Sequence, residues 1–268
     1  MGIRLMKKKL NINNIKIKKF KKPLICLTAY TAPVAKILDK YCDVILVGDS
    51  LGMVLYGMKS TRDVTLEMMI MHGKAVKKSI KKSLLVVDMP IGTYETNPKI
   101  ALINAKKIMK ETRCDAVKLE GGAKIYKSIN YLAKNNIPVM GHVGLLPQSV
   151  KKESDYKVQG RDYLGFNQII KDAINIQQAG AFSIVIECVP KILADKICNT
   201  IKIPTIGIGA SEKCDGQILV TEDILGFSEK TAKFVKVYDD FKSRMDLCVK
   251  KFVRDLKKNK FPDPKHLY

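Results

Sequence analysis

The feature that most limits what this chain can fold into is an alternation: short apolar, β-branched runs separated by longer stretches whose apolar positions recur at helical spacing. Eight such runs stand at 24–29 (LICLTA), 43–48 (DVILVG), 84–88 (LLVVD), 115–119 (DAVKL), 138–142 (PVMGH), 183–187 (SIVIE), 204–208 (PTIGI) and, more weakly, 217–220 (QILV). Between them lie helical candidates such as PVAKILDKY, NPKIALINAKKIMKETR and GFNQIIKDAINIQQAG, with Asn97 before Pro98 as a start signal and Gly180 as a stop. Parallel strands joined by crossover helices give this order, and the simplest closure of eight βα units is a (β/α)8 TIM-type barrel. An open doubly wound sheet is the competing layout, but no GxGxxG follows the first run. The 268 residues suit a single barrel domain, with 1–22 as an N-terminal basic arm or helix and the lysine-rich 228–268 as a C-terminal helical extension. Residues 145–165 break the rhythm as a long polar βα connection, the kind of loop that builds lids and binding elements.

Charge and cysteine usage narrow the class. A formal charge of +22 raises the possibility of nucleic-acid binding, yet 42 of the 48 basic residues are lysines, spread along the chain between apolar helix positions. Guanidinium forks, which base and phosphate recognition favours, come only from Arg4, Arg62, Arg113, Arg161, Arg244 and Arg254. The expectation is solvated lysine-rich helix faces with some steering of anionic substrates, and no nucleic-acid partner. Seven cysteines without a CxxC pair point to reduced thiols in a cytoplasmic protein rather than to disulfides or a thiolate metal site. No run approaches the roughly 18 apolar residues of a membrane helix.

Chemistry enters at the ends of the runs. Asp49, Asp88, Glu120, His142 and Glu187 close five consecutive runs, and in a parallel barrel all C-terminal strand ends share the face on which sites are built. Singly, each has a structural use: a helix or turn cap for Asp49, a turn cap for Asp88, a pair with Lys118 for Glu120, a satisfied core position for His142. Glu187 is the hardest to place that way, because a glutamate directly after Ile184, Val185 and Ile186 needs a partner or a raised pKa. Together, such carboxylates suit a hard divalent cation that chelates a 2-oxo acid, polarises its carbonyl and acidifies the adjacent C–H, with a separate carboxylate as base. Glu187 is the candidate base, and Lys118 the candidate holder of the substrate carboxylate.

These residues sit in a series of motifs, LTAY, DVILVGDSLGMVLYG, DMPIGTY, VKLEGG, GHVGLLPQS, YKVQGR, IECVP, IGIGA with DGQILV, and KFVKVY with FPDP. In that order they resemble the ketopantoate hydroxymethyltransferase family of pantothenate biosynthesis, from about Leu24 to the C-terminus. The resemblance implies a TIM-type barrel, one Mg²⁺ per subunit, 5,10-methylenetetrahydrofolate as co-substrate, conversion of 3-methyl-2-oxobutanoate to 2-dehydropantoate, and a homo-oligomer, a decamer of two pentamers. Carried onto matching positions, it implies metal contacts from Asp49, Asp88 and Glu120, substrate contacts from Asp49, Ser50, Asp88 and Lys118, and Glu187 as catalytic base. His142 and Gly209 stand where the family builds its site. Ser211 after GIGA, the TRDVT segment and Thr31 depart from the family pattern and bear on the folate-side loops. The nearest rival is a Mg²⁺-dependent barrel lyase of the phosphoenolpyruvate mutase and isocitrate lyase type, which shares the enolate logic.

Overall fold

The structure is a computed structural model that describes residues 9–19, 21, 23–228 and 231–268. Residues 1–8 of the expected arm lie outside the described residues. Eight strands close a barrel in sequence order: β1 (Leu24–Thr28), β2 (Val44–Val47), β3 (Leu84–Asp88), β4 (Ala116–Lys118), β5 (Val139–Gly144), β6 (Ser183–Glu187), β7 (Thr205–Ile208) and β8 (Gly216–Leu219). All neighbours pair in parallel, and β8 returns to β1 with Leu24 opposite Gly216. The expected (β/α)8 barrel is therefore present, with strand ends displaced by one or two residues from the apolar runs.

The helices of this part are α1 (Ile12–Ile17), α2 (Ala32–Leu38), α3 (Leu51–Tyr56), α4 (Leu66–Lys77), α5 (Pro98–Thr112), α6 (Tyr126–Lys134), α7 (Tyr163–Gln178) and α8 (Lys191–Thr200). Start signals act locally: Asn97 accepts the Lys99 N–H at the start of α5, and Asp162 accepts the Gly165 N–H at the start of α7. That second cap starts α7 two residues before the GFNQ stretch and shortens the irregular loop. A six-residue α3 directly after Asp49 was not foreseen.

Strand parity divides the core. Val44, Leu46, Leu84, Val86, Ala116, Met140 and Val185 fill the barrel interior, while Ile45, Val47, Leu85, Val87, Val117 and Val139 pack outward against helices. Ile15 of α1 is fully buried in the interior cluster, so the N-terminal segment seals the barrel floor. Three aspartates at strand starts hold it there. Asp43, Asp115 and Asp215 accept the N–H of Ile25, Leu85 and Thr205 on the preceding strands. Each is also paired with a lysine of the segment: Lys18 with Asp43, Lys9 with Asp115 at 2.6 Å, and Lys19 with Asp215 at 2.9 Å. Lysines that the sequence presents as a basic arm thus neutralise aspartates under the barrel.

Residues Thr221–Tyr268 form a second compact unit. It contains α9 (Thr221–Ile224) and α10 (Phe241–Lys257), the added helix expected near the C-terminus. Asp240 caps α10 by accepting the Ser243 N–H, and within the unit Phe261 meets Phe252 edge to face and His266 at a tilt of 57°. Among the described residues, no helix is long and apolar enough to cross a membrane.

Candidate active site

The parity that fills the barrel interior also aims the polar residues. Asp88 follows Leu84 and Val86, Lys118 and Glu120 follow Ala116, His142 follows Met140, and Glu187 follows Val185, each two residues on and therefore on the inner side. Register completes the assembly: Asp88 lies opposite Lys118 across β3 and β4, and Glu187 opposite Gly144 across β5 and β6. A pocket enclosing ≈ 660 Å³ of empty space, counted out to the solvent at its mouth, opens above them. Its lining includes Asp49, Ser50, Asp88, Lys118, Glu120, His142 and Glu187, so seven of the eight residues anticipated from the sequence come together. Gly209, in the loop after β7 with φ +58°, does not line it.

The contacts within the cluster are short. Lys118 Nζ lies 3.1 Å from Asp88 Oδ1, 3.6 Å from Glu120 Oε1 and 3.4 Å from His142 Nδ1. His142 lies between two carboxylates at ion-pair distance, with Nδ1 3.3 Å from Glu120 Oε1 and Nε2, which makes no aligned hydrogen bond, 3.2 Å from Glu187 Oε2. The partner that Glu187 requires is therefore this imidazole. Asp88 Oδ2 accepts the Asp49 N–H at 3.1 Å, tying the ends of β2 and β3. Ser50 shares a hydrogen bond with the Tyr30 hydroxyl at 2.8 Å instead of capping α3.

Burial and mutual charge set the electrostatics. Burial, reinforced by Asp88 and Glu120, pushes the Asp49 carboxyl well above the usual carboxylate range. Burial also raises Asp88, against the pull of Lys118. For Glu120, burial is outweighed by His142 and Lys118, which hold it below its ordinary value. Burial and Lys118 push His142 down, but Glu120 and Glu187 prevail and lift it to about 9. Lys118 is raised because Asp88, Glu120 and Asp49 outweigh its desolvation.

The donor set fits a divalent cation in part. The carboxyl groups of Asp49, Asp88, Glu120 and Glu187 face Lys118 and His142 in a buried setting, and the burial and mutual repulsion that raise Asp49 and Asp88 are what a bound cation would relieve. Asp88 Oδ1, although at ion-pair distance from Lys118, has no aligned hydrogen bond, so it is a buried oxygen open to a further ligand. The trio Asp49, Asp88 and Glu120 is not assembled as a cage, since Glu120 is turned to Lys118, His142 and the Gln148 N–H. Among the described residues no three His, Cys, Asp or Glu side chains converge as metal ligands. A hard cation here would take the two neighbouring aspartates and leave its other positions to water and substrate oxygens, as Mg²⁺ commonly does.

Sequence reasoning missed two members of the site. Gln148 and Tyr94 are both 2% exposed and hydrogen-bonded to each other at 2.6 Å, and Gln148 reaches Asp49. Only their places inside the motifs GHVGLLPQS and DMPIGTY mark them.

A closed parallel barrel with an ionisable cluster at its C-terminal strand ends defines a (β/α)8 barrel enzyme. The chain belongs to the ketopantoate hydroxymethyltransferase family, whose model matches residues 9–264, and it is accordingly a transferase. It is 51% identical over 263 residues to 3-methyl-2-oxobutanoate hydroxymethyltransferase of Pelagibacter ubique (strain HTCC1062), covering 98% of this chain and 100% of that protein. With the protein of the same name from Chelativorans sp. (strain BNC1) it shares 50% identity, over 93% of this chain and 89% of that protein. Among solved structures it is similar to phosphonopyruvate hydrolase in complex with oxalate and Mg²⁺, with TM-score 0.61, 12% identity and coverage of 96% and 93%. It is likewise similar to 2,3-dimethylmalate lyase, a member of the PEP mutase/isocitrate lyase superfamily, with TM-score 0.60, 9% identity and coverage of 96% and 93%. At such identities these two show the shared barrel fold and nothing of the reaction.

Proposed function

We propose that the chain transfers the one-carbon unit of 5,10-methylenetetrahydrofolate to 3-methyl-2-oxobutanoate as a hydroxymethyl group, giving 2-dehydropantoate, with water supplying the hydroxyl oxygen, tetrahydrofolate as the released product and Mg²⁺ as cofactor. The carrying observation is the Glu187–His142–Glu120 series beside Lys118 and the paired aspartates at the pocket floor, in a chain about half identical to proteins named for this transfer. Asp49 and Asp88 would hold the cation, with Glu120 adding charge behind Lys118 and His142. When bound, Mg²⁺ supplies positive charge at the keto oxygen of a chelated 2-oxo acid and so acidifies the adjacent C–H.

Glu187 accepts that proton as general base. The His142 ring stands between it and Glu120, with Nε2 3.2 Å from Glu187 and Nδ1 3.3 Å from Glu120. Lys118, a buried ammonium, offers the countercharge for the substrate carboxylate, and Ser50 offers a hydroxyl. Family membership supports a cytoplasmic homo-oligomer, a ring-shaped decamer. The rival lyase chemistry has only the distant fold likeness behind it.

The test is a mass-spectrometric assay of the purified protein with the oxo acid and methylenetetrahydrofolate, with Mg²⁺ and with a chelator. Folate-dependent, chelator-sensitive 2-dehydropantoate is expected, and Glu187→Gln should lower turnover by about 10²–10⁴-fold in a folded protein. Absence of product from folded, Mg²⁺-supplied protein would reject the proposal, and near-normal turnover in the variant would remove Glu187 from its role.

A further inference from the structure

Gln148 opens the long loop after β5, and every polar group it owns is engaged. Its backbone N–H donates to Glu120 Oε2 at 3.0 Å, and its carbonyl accepts from Arg62 Nη1 at 2.7 Å. The side-chain Nε2 donates to Asp49 Oδ2 at 2.8 Å and to the Met89 carbonyl at 2.9 Å, while Oε1 accepts from the Tyr94 hydroxyl at 2.6 Å. Tyr94 in turn accepts the Glu120 N–H at 3.2 Å. A buried amide stabilises a fold only when its donors and acceptors are matched. Here they are matched against the ends of β2, β3 and β4 together, not within the loop that carries the residue.

The chemistry of that contact is specific. A neutral amide N–H holds Asp49 Oδ2 without placing a further charge beside it. An ammonium in the same place would neutralise Asp49, and a carboxylate would repel it. Partners of this kind orient metal-ligating carboxylates and tune their affinity.

We propose that Gln148 is a positioning residue for the candidate cation site: its amide sets the orientation in which Asp49 meets a divalent cation and the 2-oxo acid. The inference rests on the reading under Proposed function. It also makes the 3-10 turn Pro147–Ser149 part of the site's frame.

The test measures Mn²⁺ binding to the substrate-free protein by electron paramagnetic resonance, beside thermal unfolding and steady-state kinetics. Gln148→Asn keeps the amide but shortens its reach by about 1.5 Å, one carbon–carbon bond. The Kd for Mn²⁺ should rise about 10–100-fold, and turnover lost at low Mg²⁺ should return as Mg²⁺ is raised to saturation. Tyr94→Phe frees Oε1 of Gln148 and should weaken Mn²⁺ binding in the same direction, coupled rather than additive with Gln148→Asn. A merely structural role would lower the melting temperature and leave the Mn²⁺ Kd unchanged. An unchanged Kd in folded Gln148→Asn, from a wild-type protein that binds Mn²⁺ and forms 2-dehydropantoate, overturns this inference alone. A wild-type protein that binds no Mn²⁺ overturns this inference, and one that also forms no 2-dehydropantoate overturns the proposed function with it.

Discussion

Asp39, the residue that closes α2, offers a clean test of how the barrel is held on the face away from the pocket. Its carboxylate is 8% exposed and accepts the N–H groups of Lys81 at 2.8 Å, Lys82 at 2.9 Å and Ser83 at 2.7 Å, the turn that feeds β3. Asp39→Ala removes a charged acceptor from three donors at once. Bonds to charged groups contribute about 1.5–3 kcal/mol each. Water reaches part of this turn, so the net loss is on the order of 3 kcal/mol rather than the full sum. At about 2–4 °C per kcal/mol for a protein of this size, the melting temperature should fall by about 6–12 °C. The pH dependence has a definite sign. Burial alone would raise the carboxyl, but the Ser83, Lys81 and Lys82 N–H groups outweigh it and hold it below its ordinary value. A depressed folded value means the stabilisation is complete above the unfolded carboxylate value of about 3.9 and is lost as pH falls through the folded one. Melting followed by circular dichroism should show a constant gap between wild type and variant down to about pH 4, closing below it. Equal melting temperatures at pH 7, or a gap that widens in acid, would refute the reasoning.

Gly144 has φ +94°, and a Cβ there would stand 2.1 Å from the Glu187 carbonyl oxygen, so Gly144→Ala must displace the strand end that carries the candidate base. Turnover should drop by about 10²-fold with far-UV circular dichroism preserved, as for a misplacement near 1 Å. Lys118→Met strips the buried countercharge from Asp88 and Glu120. It should cost about 3–5 kcal/mol at neutral pH, read as a lower melting temperature, and raise the KM for the oxo acid in the product assay.

The sequence made the barrel legible because two periods survive in it, the apolar runs and the helical stretches between them. It also made most of the site legible, since Asp88, Lys118, Glu120, His142 and Glu187 each continue the parity of inward-facing apolar residues. Residue type alone does not separate the two ends of the barrel. Asp43 and Asp115 open their runs and pair with lysines, while Asp49 and Asp88 follow or close theirs and line the pocket. Position relative to the run carries that distinction. Gln148 escaped because its partners Asp49 and Tyr94 lie 99 and 54 residues away, and no local periodicity registers such a contact. Helix α3 escaped because six residues are too few to express a helical period.

The seal at the floor also decides how the molecule can be attached to anything else. Leu10 is hydrogen-bonded to the Lys82 carbonyl, Ile15 is inserted beneath the strands, and Lys9, Lys18 and Lys19 are pinned to aspartates there. A linker or solid support joined ahead of Lys9 therefore meets the barrel at the pole opposite the pocket. A molecule anchored that way stands with its mouth toward solution, whereas trimming the chain back to Leu24 to shorten a fusion would lift out the stopper along with the surplus.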